Sequence, residues 1–371
     1  MSRVDLTQVW KIYPRGNVVG VKDLTFTIRD KEFLAILGPS GGGKSSTLRM
    51  LAGLEEISRG EISFDGTVVN AMGPAERNIA LAFESYALYQ RLSVYENIAF
   101  PLRARKMPGA LIEEKVTTIA RLLDLTSLLK KFPPSLAGGQ QQRVSLARAF
   151  VRQPNLTLLD EPISHMDQRV RAEIRARIRH LHEEMKNTTV YVTHDQAEAV
   201  SLCDRMVILH QAQLQQIGTV AEIWNAPANR FVAHFVGEPA MNFIPGRTEG
   251  AGSVFIATPQ GKRSFAFKGE LAAGYEQADV TIGVRPQEIK VAREQRNGCS
   301  IPAVVRIAEF QGENTVLTLN LTDAKASELK AVVAATERYA QGESVWLTFA
   351  PEILHLFDGE KPILRRSAVR A

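Results

Sequence analysis

Apolar positions alternate or run together over residues 3–9 and 24–37, with LTFTIRD and EFLAILG reading as strands. The second stops abruptly in Gly and Ser, and a strand that feeds a glycine-rich turn predicts an α/β nucleotide-type core. From 111 to 131 (LIEEKVTTIARLLDLTSLLKK) apolar residues recur every three or four positions, and 140–153 and 168–186 repeat that spacing, so helices are predicted there. NLTLLDEP (155–162) and TTVYVTHD (188–195) are short apolar runs closed by polar residues or proline, as in strands buried on both faces of a parallel sheet. After Phe235 the texture changes. VGEPAMNFIPG is rich in Gly and Pro, and SVFIAT, SFAFKG, DVTIGVRP, CSIPAVVRIAEF, NTVLTLNL and SVWLTF follow as β-type runs between turn residues. The expected organisation is an α/β domain over 1–237, with a helical subdomain at about 85–155, and a small barrel-like β domain over 238–371. Two tandem barrels fit the same pattern.

Composition narrows the class. The chain has 371 residues, 45% of them apolar and 23% charged, which gives ordinary globular domains and excludes wholesale disorder. No window approaches ~18 consecutive apolar residues, and MSRVDLTQVWKIYPRG lacks the apolar core of a signal peptide, so a cytosolic chain is expected. Cys203 and Cys299 have no ligand spacing around them and read as reduced packing residues. A net charge of +5 is too mild to imply nucleic acid. The basic stretch Arg169 to Arg179 reads as a solvated helix face, with a surface for an acidic partner as the alternative.

Candidate chemistry begins at Gly38-Pro39-Ser40-Gly41-Gly42-Gly43-Lys44-Ser45, which fits GxxxxGK[ST] between a predicted strand and the predicted helix STLRMLAGL. Such a loop closes backbone N–H groups around phosphate oxygens, with Lys44 reaching the β/γ-phosphates and the Ser45 hydroxyl placed to ligate Mg²⁺. A phosphate loop needs a distant carboxylate for its metal, and apolar LTLL leading into Asp160-Glu161 supplies one. Asp160 fits the Mg²⁺ shell. Glu161 is placed to polarise an attacking water as general base. His194, at the end of TTVYVT, is expected to contact the γ-phosphate and that water.

Between Lys44 and Asp160 stands Leu136-Ala137-Gly138-Gly139-Gln140-Gln141-Gln142-Arg143, which strongly resembles the LSGGQ signature of ATP-binding cassette (ABC) ATPases. With GPSGGGKS, LTLLDEP and VTHD it stands in that family's order. FLAILGPSGGGKSSTLRMLAGLE, ESYALYQRLSVYENIAFPL, MNFIPG, IGVRPQEI and LHLFDG look like the bacterial sugar and polyol importer ATPases, whose tail is an OB-like (TOBE) regulatory domain. The resemblance implies an α/β P-loop cassette with a helical subdomain, then a small all-β domain, and Mg-ATP hydrolysis that powers an importer for a sugar, polyol or related solute such as glycerol or glycerol phosphate. Tyr13 matches the aromatic that stacks on adenine, with Trp10 as the nearby rival and plain packing as the alternative. Ser46 and Asp167 join the nucleotide-binding set, and Ala137, Gly138, Gly139 and Gln140 act in trans across a dimer of cassettes. The stretch at about 85–101 resembles the surface that receives two membrane permease subunits, although Tyr86, Leu88 and Tyr89 equally suit a core. A solute-binding protein is implied indirectly, no nucleic acid is, and the location implied is the cytoplasmic face of the bacterial inner membrane.

Three positions depart from the family's pattern. Glu84 stands where a Gln usually meets Mg²⁺ and the water; it can still ligate the metal but lacks an N–H donor. Ala137 replaces the signature serine and its hydroxyl. Ser164-His165-Met166-Asp167 keeps Ser and Asp but changes the middle of the D-loop, the family's segment before Asp167. Pairing with a different cassette chain would spread these changes over two unequal sites, so a heterodimer is expected, with a homodimer possible. An ATP-binding, catalytically weak regulatory subunit of such a pair is the alternative function.

Overall fold

The computed structural model describes residues 2–83, 85–164, 166–258, 261–295, 300–321 and 328–365. They fall into two compact units, Met1–Val220 and Ala221–Ala371. Segment 221–237, assigned to the first domain from sequence, groups with the second.

Along the first unit run β1 (Val4–Tyr13), β2 (Val18–Ile28), β3 (Phe33–Leu37), α1 (Lys44–Ala52), β4 (Arg59–Phe64), β5 (Thr67–Val68) and β6 (Ile79–Ala82). There follow α2 (Val94–Ala104), α3 (Gly109–Leu122), α4 (Gly138–Phe150), β7 (Leu156–Asp160), α5 (Gln168–Met185), β8 (Thr188–Val192), α6 (Gln196–Leu202), β9 (Arg205–His210) and β10 (Gln213–Gly218). One sheet is antiparallel, in the order β2-β1-β4-β5; the other runs β10-β9-β3-β8-β7-β6 and is parallel from β9 to β6. β3 and β8 are buried at every residue, which is why their sequences are unbroken apolar runs rather than alternating ones. Their carboxyl ends, with that of β7, open onto the loops that carry the candidate residues.

α2, α3 and α4 pack through Ile98, Leu102, Val116, Ile119, Val144 and Phe150 in one apolar cluster, which Ile174 and Ile178 of α5 share. α2 starts at a reciprocal cap: Ser93 Oγ accepts from Glu96 N at 3.2 Å, and Glu96 Oε2 accepts from Ser93 N at 2.8 Å. The helix predicted over 111–131 is shorter. α3 ends at Leu122, Asp124 turns to φ 49, and only a 3₁₀ turn (Thr126–Leu128) follows. Asp, Thr and Ser there bond backbone outside a helix as readily as within one, and break the apolar periodicity that predicted its continuation.

Three of the arginines of α5, Arg171, Arg177 and Arg179, are paired within the chain. Arg177 meets Asp124 and Glu173, and Arg179 meets Glu183 at 2.8 Å and Asp204 at 3.0 Å. That pairing suits the solvated-face reading of the basic stretch. Burial pushes the Cys203 thiol up to about 12, and Cys299 lies outside the described residues.

The second unit takes all but the first residue of α7 (Val220–Asn225), and α8 (Arg230–Phe235) follows. Its strands are β11 (Asn242–Glu249), β12 (Ser253–Thr258), β13 (Gly261–Ala266), β14 (Glu270–Leu271), β15 (Asp279–Val284), β16 (Lys290–Ala292), β17 (Ser300–Phe310), β18 (Asn314–Leu321), β19 (Glu328–Ala334), β20 (Ser344–Thr348), β21 (His355–Asp358), β22 (Lys361–Pro362) and β23 (Leu364–Arg365). Sheets β13-β12-β11-β15-β21-β22 and β16-β20-β17-β18-β19 share a single apolar cluster that includes Ile244, Ile282, Ile301 and Leu317. Arg285, after β15, is 1% exposed. It stacks 3.7 Å from the Trp224 ring and donates to the carbonyls of Val236 (2.6 Å) and Trp224 (2.7 Å), which ties α7 and α8 to this sheet.

Candidate nucleotide-hydrolysis site

The glycine-rich loop joins β3 to α1 as the sequence predicts, and steric limits account for its composition. A Cβ on Gly43 would lie 2.7 Å from the Gly20 carbonyl oxygen, and one on Gly38 would lie 2.2 Å from that of Leu209, so only glycine fits either place. Gly43, at φ 100, is the N-cap of α1 and supplies no side-chain acceptor, which leaves the first-turn N–H groups of α1 directed at the loop. The buried Lys44 ammonium donates to the carbonyls of Gly38 (2.8 Å) and Pro39 (3.2 Å). Burial holds Lys44 below its ordinary pKa, against the opposing pull of Glu161 and Asp160. Ser40 and Gly41 of the loop and Ser45 of α1 are exposed.

Tyr13 ends β1 with its hydroxyl 3.0 Å from Ser46 Oγ, its ring edge against Gly20, and Lys11 Nζ 4.9 Å from the ring centroid. The rival Trp10 lies opposite Arg59 in the β1–β4 pairing. Of the two aromatics, Tyr13 is the one bonded to the phosphate-loop helix.

Asp160 closes β7 and is half-buried. Glu161 follows at φ 44, a left-handed conformation costing on the order of 1 kcal/mol or more for a residue with a Cβ. Three contacts hold it there: its N–H donates to Val192 O at 2.9 Å, its carbonyl accepts from Ser164 Oγ at 3.1 Å, and its Oε2 faces His194 Nδ1 at 3.0 Å. A carboxylate partner fixes the Nδ1–H tautomer and leaves Nε2 toward solvent. The His194 side chain is 63% exposed and that of Glu161 25%, so both reach the open face of the sheet.

Residues 137–140 begin α4, where Ala137 takes the N-cap conformation but offers no side-chain acceptor. Gln140 Oε1 accepts from Ala137 N at 3.1 Å. A Cβ on Gly139 would lie 2.9 Å from Val170 Cγ1, so α5 closes on the signature at a distance that glycine permits. Among the described residues no hydrogen bond joins 137–140 to the phosphate loop of the same chain. Asp167 caps α5 by accepting from Val170 N at 3.0 Å. Glu84 and His165 lie outside the described residues.

The candidate docking residues separate by burial. Leu88 is core at 8% exposure, Tyr86 is half-buried against the helical cluster, and Tyr89 is exposed, 4.6 Å from the ring of Phe100. Tyr86 and Ala87 both have positive φ, and α4 holds their carbonyls: Ser145 Oγ and Arg148 Nη2 donate to Tyr86, Arg148 Nη1 to Ala87.

Two further arginines escape sequence reasoning because most of their targets are main-chain carbonyls. Arg77, 5% exposed, donates to Met50, Leu51, Val69 and Met72, and so caps the carboxyl end of α1. Arg171 donates to Ser164, Met166 and Asp195. Among the described residues no cluster of three His, Cys, Asp or Glu side chains suits a metal ion. A phosphate-loop metal needs none, since a hydroxyl, one or two carboxylates, phosphate oxygens and waters would complete its shell. Nor is any helix among them long and apolar enough to cross a membrane.

Comparison with known proteins gives the family. The family model described as ABC transporter matches residues 21–164, MalK OB fold domain matches 237–289, and TOBE domain matches 282–357. The chain is 39% identical to the multiple sugar-binding transport ATP-binding protein MsmK of Streptococcus mutans, covering 97% of this chain and 98% of that one. It is 41% identical to the trehalose import ATP-binding protein SugC of Mycobacterium tuberculosis (97% of each) and 40% to the sn-glycerol-3-phosphate import ATP-binding protein UgpC of Salmonella choleraesuis (97% and 99%). Among solved structures, the dimeric bacterial ABC transporter cassette MJ0796 aligns with TM-score 0.53 and 28% identity over 58% of this chain and 98% of that one. The chain belongs to the ABC transporter family, as an ATP-binding subunit with ABC-type ATPase activity and an all-β OB-fold and TOBE tail.

Proposed function

We propose that this ATPase drives a bacterial importer for a small polar solute: a sugar, a polyol, or a related compound such as glycerol or glycerol phosphate. The observation that carries the hydrolytic assignment is the Glu161–His194 pair, 3.0 Å apart at the strand ends that also present Asp160 and the phosphate loop. The solute class rests on the relatives, whose names specify sugar, trehalose and glycerol-phosphate import.

In this reading the loop amides and Lys44 hold the β- and γ-phosphates, and Tyr13 supports the adenine. Ser45, Asp160 and Glu84 would hold Mg²⁺, which neutralises phosphate charge when bound. Glu161 takes the proton of the attacking water while His194, its Nδ1–H held by Glu161, turns the Nε2 lone pair to accept from that water beside the γ-phosphate. Residues 137–140 and Asp167 serve the opposite cassette's nucleotide. Closure of the cassette pair moves two permease subunits docked at about 85–101, which a solute-binding protein supplies, at the cytoplasmic face of the inner membrane.

The partner cassette in this proposal is a different chain. Ala137 has no hydroxyl to offer across the dimer and Glu84 adds negative charge beside phosphates, so two copies would carry both changes at both sites. The test is ATP turnover of the complex purified by a tag on this chain, with each subunit identified by mass and Glu161→Gln as control. A second cassette species together with permease subunits and loss of turnover in the variant is expected. Only this chain with permease overturns the heterodimer; turnover indifferent to Glu161 makes the chain the weak, regulatory member of a pair.

A further inference from the structure

We infer that Arg171 is a positioning residue that locks the loop carrying Glu161 to the loop carrying His194. The inference rests on the assignment of those two residues to hydrolysis. Arg171 lies in the first turn of α5 and belongs to neither loop, yet all three guanidinium nitrogens are committed to them. Nε donates to the Met166 carbonyl at 2.8 Å, Nη2 to the Ser164 carbonyl at 3.3 Å, and Nη1 to Asp195 Oδ2 at 3.3 Å.

These bonds complete a ring. Glu161 accepts from Ser164 through its carbonyl, Ser164 accepts from Arg171, Arg171 reaches Asp195, Asp195 is covalently next to His194, and His194 returns to Glu161 at 3.0 Å. The far side of the His194 loop is pinned as well. Asp195 N donates to Thr193 Oγ1, Thr193 Oγ1 donates to the buried Glu198 Oε2, and Asp195 Oδ1 accepts from Glu198 N. Without Arg171, the Ser164 and Met166 carbonyls lose their tie to Asp195, and among the described residues the two loops are joined through the Glu161–His194 contact and the Glu161 N–H to Val192 carbonyl bond.

The Arg171 and Asp195 side chains are 35% and 28% exposed, so their charge attraction alone is worth little. The value lies in the planar fork, which spans three acceptors on two loops at once; a lysine ammonium at the end of a flexible stem does not reproduce it.

The experiment measures kcat, nucleotide affinity by a fluorescent ATP analogue, and thermal unfolding for the tag-purified complex bearing Arg171→Gln, Arg171→Lys, Asp195→Asn, or Arg171→Gln with Asp195→Asn. Asparagine still caps α6 through its oxygen but turns its amide toward Arg171. Expected is a fall in kcat of roughly ten- to a hundredfold for each single variant, with affinity within about twofold, no rescue by lysine, and a double variant no slower than the worse single. Wild-type kcat in Arg171→Gln, full activity in Arg171→Lys, or multiplying losses in the double variant would each overturn the brace. A His194→Ala control that hydrolyses at the wild-type rate instead removes the assignment on which the brace stands.

Discussion

His194 Nδ1 and Glu161 Oε2 meet at 3.0 Å, and the backbone N–H of Glu161 bonds to Val192, two residues before that histidine. The strand ends of β7 and β8 are thus stitched at both main chain and side chain, and the carboxylate keeps Oε1 for a second partner. Glu161→Gln removes the proton acceptor while keeping the shape. Turnover should fall about 10²- to 10⁴-fold with nucleotide binding retained, measured as phosphate release beside analogue binding. Turnover near wild type would end its role as base.

Ala137→Ser should act in the opposite direction. The N-cap position of α4 already has the extended backbone a serine cap uses, so the hydroxyl should stabilise the cassette by about 0.5–2 kcal/mol. It also restores a donor at the signature, and kcat should rise by up to roughly tenfold. Unfolding midpoint and turnover read the two effects separately, and no gain in either would remove the account given of this departure.

Arg77→Met should destabilise the first unit by about 3 kcal/mol, because four carbonyls lose a guanidinium donor at once and a largely buried cation is removed, although Met50 and Val69 keep the backbone donors Gly53 N and Met72 N. Two of these, Met50 and Leu51, end α1, so nucleotide affinity should weaken along with the unfolding midpoint. A variant as stable as wild type would contradict the capping role.

His182 is 5% exposed, bonds Thr189 Oγ1 at 3.0 Å through Nδ1, and packs edge-on to Phe33. Burial, aided by Arg179, holds its pKa below the ordinary 6.5, with Asp204 and Glu183 pulling the other way. A folded pKa below the unfolded one gives stability that is present above pH 6.5 and lost as pH falls through the folded value. Denaturant titrations should therefore show wild type losing more stability than His182→Gln between neutral pH and pH 5, with a slope of at most ~1.4 kcal/mol per pH unit. Parallel profiles would exclude His182 as the source.

Much of the site is legible in the sequence because its chemistry needs particular residue types at particular backbone places. The loop glycines answer to a carbonyl within 3 Å, and the β3 and β8 runs to burial on both faces. Arg77, Arg148 and Arg171 leave no such mark, since a guanidinium that serves main-chain carbonyls can find them beside any residue. β11 is hidden for a different reason: NFIPGRTE carries a Pro and a Gly that read as a linker, yet it pairs with β15 from Asn242 to Arg247. β19, ELKAVVA, is composed like a helix and becomes a strand only through its seven pairings with β18.

The grip of α4 on the Tyr86 and Ala87 carbonyls joins the proposed docking segment to the signature. Ser145 and Arg148 take hold of that segment in the second half of α4, while Gly138 opens the first turn of the same helix, about 10 Å along its axis from Ser145. An α-helix transmits such a displacement as a rod does. On the docking proposed above, a push from a permease on the exposed Tyr89 and Phe100 rings would be carried along α4 to the signature amides. What the solute pathway tells this motor would then concern its neighbour's ATP as well as its own.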